Sequence, residues 1–549
     1  MGIILLMSIA VNFYNNSSSG ILGKDESLYI FLAKGHNSNT PIDAPTGSGL
    51  DAMRQGVQRT TDPPGIFLLL HIWEKVSYSE AWLRFLPLLF FIISIVTLIK
   101  IGLLFKFPLL VSVCLGFLPL ASDRMVLHSL EIRAYGMEIC ITYLMIFFAL
   151  KIIFKINELN KPNKYNWIFF TLAIVVGLSS RFSFVISAFS IYLILWLIII
   201  LRRNYNYFKD NCLSLGISSI ISLVFFAIFF RMKPYMETNT ASNSVSVDFY
   251  NYHISDNWFS VFEYFLKQIT LIPVALYSGS GIQSTSFYYI LWLLFFCLIC
   301  IGTISAYKVH RNIKLSELRT NFIIYCGVFL YPLLTIFISC GLAIPAIHPF
   351  SINSRYSLYL QPSIHLLIVG FGFLIASQIP TNQPKAHNLF SKYYGIIFTY
   401  TLVIIALIYS FHFMFYNLTF RMGGAQHTTH VLHKLINDNE LKDIDYWYIS
   451  LGEIESFKYH VLYGGLKDKL GPDAKIVFEN RPITVNEIDS RELESIYNEA
   501  KKGSKVVMLL GHVDKKEAEI YRKIFNRIFP DVKYGEYETS SEQIGIAVR

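Results

Sequence analysis

Charge is scarce in this chain. Asp, Glu, Lys and Arg make up 15% of the 549 residues and apolar side chains 53%, a balance that excludes a soluble globular protein and points to a polytopic membrane protein. Cysteine is sparse as well. All seven, Cys114, Cys140, Cys212, Cys297, Cys300, Cys326 and Cys340, lie in or beside apolar runs, so there is no disulfide framework, and Cys297-x-x-Cys300 reads as helix packing rather than a zinc site. No Lys or Arg precedes Lys24. The basic head of a cleaved signal peptide is therefore missing, and the first apolar run reads as a membrane span. A glycine-rich phosphate loop is missing too: "LLGHVDKKE", after a strand-like run, holds one glycine, which argues against a nucleotide or dinucleotide site. There is no visible internal repeat, and the lack of inverted halves speaks against a transporter.

What the chain does have is long apolar runs. A spanning helix needs roughly 20 predominantly apolar residues. Runs of about that length occupy 81–105, 135–154, 167–185, 184–201, 213–230, 288–307, 321–343, 356–376 and 394–413, and shorter candidates occupy 1–14 and 107–121, giving about eleven spans. The net charge of +9 follows from orientation rather than from nucleic-acid binding. Basic residues gather in alternate short loops: Lys151, Lys155, Lys161 and Lys164; Arg202, Arg203 and Lys209; Lys308, Arg311, Lys314 and Arg319; Lys385 and Lys392. By the positive-inside rule these loops are cytoplasmic. The N-terminus is then cytoplasmic, and the segment from about 416 to 549 is extracytoplasmic, on a multi-pass protein of the plasma membrane.

The sequence therefore predicts a mainly α, membrane-spanning domain over 1–415, with large outer loops at 15–79 and 231–287, followed by a small extracytoplasmic α/β domain over 416–549. Outer-loop segments such as "NWFSVFEYFLKQI" are expected to form helices lying on the membrane surface. In the tail, "YWYIS", "KIVFE", "KVVMLL" and the final "EQIGIAVR" read as strands. They alternate with helices whose starts carry capping-box spacing, Asp489 with Glu492 and Asp514 with Glu517.

The few charges are placed informatively. A charge deep in a bilayer costs on the order of 3 kcal/mol or more, yet ionisable residues recur at the outer ends of the spans. They are Asp25 and Glu26 in "GKDESLY", Asp62 in "TTDPPG", Glu80 and Arg84 in "YSEAWLRFLP", Asp123, Arg124, His128, Glu131 and Arg133 in "ASDRMVLHSLEIRAYGME", Arg181 in "SSRFSF", and Arg355 in "INSRYSLYLQP". An early outer "DE", a "PP" pair before an apolar run, "SE…LRFLP", "EIRAY" and "SRY", in that order and on one side, resemble the GT-C membrane glycosyltransferases. The branch most similar holds the protein O-mannosyltransferases and the aminoarabinose transferases. The resemblance covers 1–422; the tail matches no familiar module.

That resemblance implies an inverting glycosyltransferase, moving a sugar from a polyprenyl- or dolichyl-phosphate carrier to a hydroxyl of a glycan, lipid or protein at the outer face. Membrane lipid is a further partner and nucleic acid is not. An acceptor hydroxyl needs a base, and a positioned carboxylate contributes roughly 10² to 10⁴ in rate. Asp25, matching the first acid of the family's pair, is the candidate base, and Glu26 the residue that orients it, an arginine or the acceptor. The leaving lipid phosphate needs cations, since unit charges about 4 Å apart at an effective dielectric near 20 attract by about 4 kcal/mol. Arg355 is the first choice, then Arg133 and Arg181, because a guanidinium can grip a phosphate with two parallel hydrogen bonds. Arg84, Glu131 and Tyr356 are further candidates, with Arg84 equally suited to anchoring the loop at the interface. Tyr135 suits either an interfacial or a site role. His71, His128 and His348 read as local hydrogen-bonding residues.

The chain departs from the family pattern at one point. Members of the family the chain resembles usually carry His or Lys before the proline pair, whereas this chain has Asp62. Either Arg59 supplies a phosphate contact, or Asp62 joins Asp25 and Glu26 in holding a divalent cation such as Mg²⁺ or Mn²⁺. The metal-free alternative, with no cofactor, is favoured. The rival functions are a transporter or flippase for a lipid-linked sugar, and a membrane-anchored scaffold whose working part is the tail. The tail is expected to contact the acceptor or to brace the outer loops.

Overall fold

The computed structural model describes residues 2–17, 24–37, 40–60, 62–157, 163–201, 205–231, 253–254, 258–270, 324, 326–343, 355–376, 444–450, 454–463, 466–479, 491–511, 515–529, 532–533 and 542–549. The chain is mostly helical and divides into two compact units. The first comprises Met1–Phe13, Pro87–Met232 and Asp248–Thr419; the second comprises Tyr14–Leu86, Lys233–Val247 and Phe420–Arg549.

Helices are named in chain order: α1 (Gly2–Ser17), α2 (Lys24–Ala33), α3 (Gly49–Arg59), α4 (Gly65–Glu74), α5 (Glu80–Leu104), α6 (Leu109–Leu115), α7 (Asp123–Ser129), α8 (Ala134–Asn157), α9 (Lys164–Leu178), α10 (Phe184–Leu201), α11 (Tyr205–Arg231), α12 (Trp258–Thr270), α13 (Tyr331–Gly341) and α14 (Gln361–Ala376). Among the described residues, four segments are long and apolar enough to cross a membrane unaided: α5, α10, and the greater part of α8 and of α11. At 1.5 Å per residue, the 25 residues of α5 reach about 37 Å, more than the roughly 30 Å of a hydrocarbon core. The expected spans 288–307 and 394–413 lie outside the described residues.

Two expected spans are interrupted. Over 107–121, α6 stops at Leu115 and the chain turns into a 3-10 segment at Pro119–Ala121, because a proline cannot donate to a preceding helical turn. The run 167–185 divides where α9 ends at Leu178. Ser179 and Ser180 close the last turn, and Arg181 stands between α9 and α10. Polar side chains join the helices of this unit. Tyr143 of α8 pairs with His365 of α14, Ser339 of α13 with the Tyr359 hydroxyl at 2.7 Å, and Thr171 of α9 donates to Ser218 of α11 at 2.7 Å.

The strand-like segments of the tail coincide with strands in the second unit. Counting a two-stranded pair, β1 (His253–Ile254) and β2 (Leu342–Ala343), in the first unit, the tail holds β3 (Ile444–Ile449), β4 (Leu470–Phe478), β5 (Lys505–Gly511), β6 (Val532–Lys533) and β7 (Glu542–Val548) in the order β4-β3-β5-β7-β6. β3 runs parallel to β4 and β5, and β7 runs antiparallel to β5 and β6. Because successive side chains face opposite sides of a strand, Trp447, Ile449, Val507 and Leu509 pack on one face with Ile454, Phe457 and Val461 of α15 (Ile454–Leu462). Tyr448, Val506, Met508 and Leu510 pack on the other face with α16 (Arg491–Glu499) and α17 (Lys515–Ile528). The expected caps Asp489 and Asp514 lie outside the described residues.

Candidate active site

The acidic candidates Asp25, Glu26 and Asp62 lie in the second unit, built on α2, α3 and α4. α2 begins at the "KDE" triplet, where carboxylates in the first turn complement the helix dipole. It ends at a glycine: the Gly35 N–H donates to the Leu32 carbonyl at 2.9 Å and the His36 N–H to the Phe31 carbonyl at 3.0 Å, a Schellman closure. Gly35 sits at φ +77, and a Cβ there would approach the Asp51 Cβ to 2.8 Å, so glycine is required on two counts. α3 starts with a capping box in which Ser48 and Asp51 exchange hydrogen bonds of 2.8 and 3.2 Å. Gly56 of α3 leaves room for the Phe67 ring of α4, with which a Cβ there would collide.

Glu26 is buried and meets the buried Arg84 from the first turns of α5. The Arg84 Nη1 and Nη2 atoms donate to the two Glu26 oxygens at 2.8 and 3.0 Å, while Nε donates to Glu80 at 2.8 Å. This is a forked guanidinium–carboxylate grip. Arg84 is thus a buried partner of Glu26, and Asp25, half-buried, stands beside the pair at the start of the same helix. Asp62 is buried and accepts a hydrogen bond from the Tyr29 hydroxyl, one α2 turn further on. Arg59 is exposed in the last turn of α3. Among the described residues, no group of three or more His, Cys, Asp or Glu side chains is gathered as a metal site.

The first unit holds the remaining cations. Arg133 precedes α8 and Arg181 precedes α10, and both guanidiniums lie against one ring, that of the buried Tyr135, at 4.9 and 4.3 Å from its centroid. Cation–π attraction of this kind contributes about 0.5 to 2 kcal/mol. Glu138, a turn further along α8 and fully buried, accepts from Arg181 Nη1 at 3.3 Å and from the Ser183 hydroxyl. Glu131 faces His128 Nδ1 at 3.0 Å. Arg355 and Tyr356 open the 3-10 segment Arg355–Leu360, which packs on α7 and α8, the helices that flank Glu131 and Arg133. Their side chains lie outside the described residues, as does His348. His71 meets the expectation of a local role, its Nδ1 lying 2.8 Å from the Ala33 carbonyl oxygen.

Sequence reasoning missed Glu138, Lys34 and Glu74. Lys34 is buried at the end of α2, where its amine donates to the Tyr463 hydroxyl at 2.8 Å. Glu74 ends α4 fully buried, with neither carboxyl oxygen hydrogen-bonded; His71 Nδ1 is 3.9 Å away. Burial pushes Glu74 up to about 9, against the pull of Lys34 and Lys75, and burial lowers Lys34. Tyr78 and Tyr463, both raised by burial, are the other titratable groups that couple to Glu74.

A glutamate raised in the folded state takes up a proton on folding. Its stabilising contribution is complete below about 4.5 and is lost as pH rises toward about 9. Glu74→Gln is expected to remove this slope and to stabilise the protein at pH 7 by at most about 3 kcal/mol, from about 1.4 kcal/mol per pH unit. Thermal unfolding of both proteins at pH 5 and pH 8 checks it. An unchanged difference between the two pH values would show that Glu74 does not titrate as a buried acid.

The fold of this chain has counterparts among solved structures. Two crystal structures of ArnT from Cupriavidus metallidurans, one bound to undecaprenyl phosphate and one in the apo state, share it; each superposes with a TM-score of 0.50 at 11% sequence identity, covering 99% of this chain and 97% of theirs. No family signature and no curated protein matches the sequence.

Proposed function

We propose that this protein is an inverting glycosyltransferase that moves a hexose or pentose from a polyprenyl- or dolichyl-phosphate carrier to a hydroxyl of a glycan, lipid or protein at the outer face of the plasma membrane. It crosses the membrane about eleven times, with the N-terminus in the cytoplasm and an α/β domain from about 416 outside. The observation that carries this reading is the fold shared over nearly the whole chain with ArnT, a protein crystallised with undecaprenyl phosphate.

In this reading Asp25 takes the acceptor's proton as the hydroxyl oxygen attacks the anomeric carbon. The bond to the phosphate oxygen breaks on the opposite face, and the electron pair leaves with the lipid phosphate. Arg133 and Arg181, held by one tyrosine ring, stabilise that phosphate together with Arg355 and Arg59. Glu26 holds the start of α2 through Arg84 and needs no covalent role, because one base suffices for an inverting displacement. We favour a metal-free reaction. Support comes from the engagement of both Glu26 oxygens by Arg84 and of Asp62 by Tyr29, which makes them poor candidates for cation ligands.

The test uses purified protein in nanodiscs with a radiolabelled polyprenyl-phosphate-linked hexose and a crude envelope fraction as acceptor, with and without chelator. Transfer of label in both conditions is the expected result. Transfer lost in chelator and regained with Mg²⁺ or Mn²⁺ would overturn the metal-free mechanism. No transfer, with the intact donor moved across the bilayer of proteoliposomes, would replace the enzyme with a flippase.

A further inference from the structure

The helix that carries Asp25 and Glu26 is held at its far end by the tail. Lys34, nine residues beyond Asp25 and about 13 Å along the helix axis, donates to the Tyr463 hydroxyl at 2.8 Å. Its ammonium also lies 5.3 Å from the Tyr463 ring centroid, 5.1 Å from that of Tyr78 and 5.8 Å from that of Phe31. The Tyr78 and Tyr463 rings stack on each other, 4.6 Å apart and 11° from parallel. A desolvated cation against stacked aromatic rings is a strong, directional contact.

α15 makes the other attachments. Its face at 454, 457 and 461 belongs to the core of the sheet. From its remaining surface Lys458 donates to the Thr40 carbonyl at 2.7 Å, and the Tyr459 hydroxyl donates to the Tyr78 carbonyl at 3.1 Å. Ile42 packs on the same core from the loop side. Tyr78 lies two residues before α5, whose Arg84 grips Glu26. The tail therefore reaches α2 by two routes, through Lys34 at its C-terminal end and through Tyr78, α5 and Arg84 at its N-terminal end.

We propose that Tyr463, with Tyr459 and Lys458, is a positioning residue through which the C-terminal domain fixes the placement of the Asp25 carboxylate. The proposal rests on the reading of Asp25 as the base. Tyr463 touches no reacting atom. It sets the tilt and end position of a ten-residue helix, and a displacement of about 1 Å at a reacting group costs on the order of 10²-fold in rate.

The experiment compares full-length wild type, Tyr463→Ala, Tyr463→Phe and Lys34→Met in nanodiscs by steady-state transfer and by amide hydrogen exchange over residues 24–34. Lys475→Ala, at an exposed ion pair of the same sheet, is the control. For Tyr463→Ala and Lys34→Met the expectation is a kcat lowered by about 10- to 100-fold, a KM for the lipid donor within about twofold of wild type, and faster exchange in α2. Tyr463→Phe, which keeps the ring against Lys34 and Tyr78, recovers most of the rate.

Wild-type kcat with unchanged exchange in Tyr463→Ala would overturn the proposal, as would a loss confined to KM or a loss shared equally by the phenylalanine variant. If wild type itself transfers no sugar, it is the reading of the reaction that fails. The exchange measurement then still decides the brace: unaltered protection of α2 in Tyr463→Ala overturns it, and faster exchange supports it.

Discussion

Asp25→Asn is expected to lower sugar transfer by roughly 10² to 10⁴ while leaving the affinity for the lipid donor unchanged. The amide has nearly the size of the carboxylate and still accepts a hydrogen bond, but it cannot take the proton of an attacking hydroxyl. The substitution therefore removes one chemical step and little else. Asp25 is half-buried beside the Glu26–Arg84 pair, so a change that keeps the shape should leave that pair in place. Single-turnover transfer, with donor binding measured separately, distinguishes the two effects. Transfer within about tenfold of wild type at normal donor affinity would place the base elsewhere. Weakened donor binding would mean that Asp25 holds substrate instead of moving a proton.

The second large effect is one of stability. Arg84 lies buried between Glu26 and Glu80 and bonds to both. Arg84→Met fills much of the same volume but leaves two acids in a poorly solvated place with no cation, and breaking a buried pair in this way costs about 3 to 5 kcal/mol. Thermal unfolding in detergent should show a correspondingly lower midpoint. Glu26→Gln alone should also destabilise, by stranding the guanidinium. The combination of Glu26→Gln with Arg84→Met should cost less than the two single changes added together, because each removes the penalty created by the other. Strict additivity would show that the fork contributes nothing as a pair.

The sequence disclosed the character of the fold because an unbroken apolar run as long as a bilayer is thick is rarely tolerated outside one, and the runs 81–105 and 184–201 correspond closely to α5 and α10. Its punctuation was less legible. Pro119 was visible inside the run 107–121, yet a count of apolar residues passed over the break at which it stands.

For the candidate site, position along the chain was readable and partnership was not. Glu26 and Arg84 are 58 residues apart, and a single sequence carries no signal that joins them. Glu138 closes the "EIRAYGME" motif but was absorbed into the apolar run that follows, although a carboxylate one turn inside a membrane helix is costly enough to be a signal by itself. Lys34 and Glu74 offered the same warning, each being a charge at the end of a short apolar helix, "LYIFLAK" and "LLLHIWE". The strands of the tail were readable as short strand-like runs alternating with helix starts, while its attachment to residues 34, 40 and 78 was not, because loop-to-tail contacts follow no local pattern.

The join between Lys34 and Tyr463 spans 429 positions of chain, and that distance has a bearing on biosynthesis. A ribosome finishes the carboxylate helix long before it reaches α15 and Tyr463, which secure it, and domains generally fold as units in the order they are made. Each doubling of a loop adds only about 0.6 kcal/mol to the entropy of closing it, so the long wait is tolerable in thermodynamic terms. In time, however, it imposes a sequence of events: the membrane helices can be inserted while the second unit is still incomplete. A nascent chain that has not yet reached Tyr463 would then have its earlier spans but not its braced acid, so that maturation of the site waits on synthesis of α15 and the sheet it packs on.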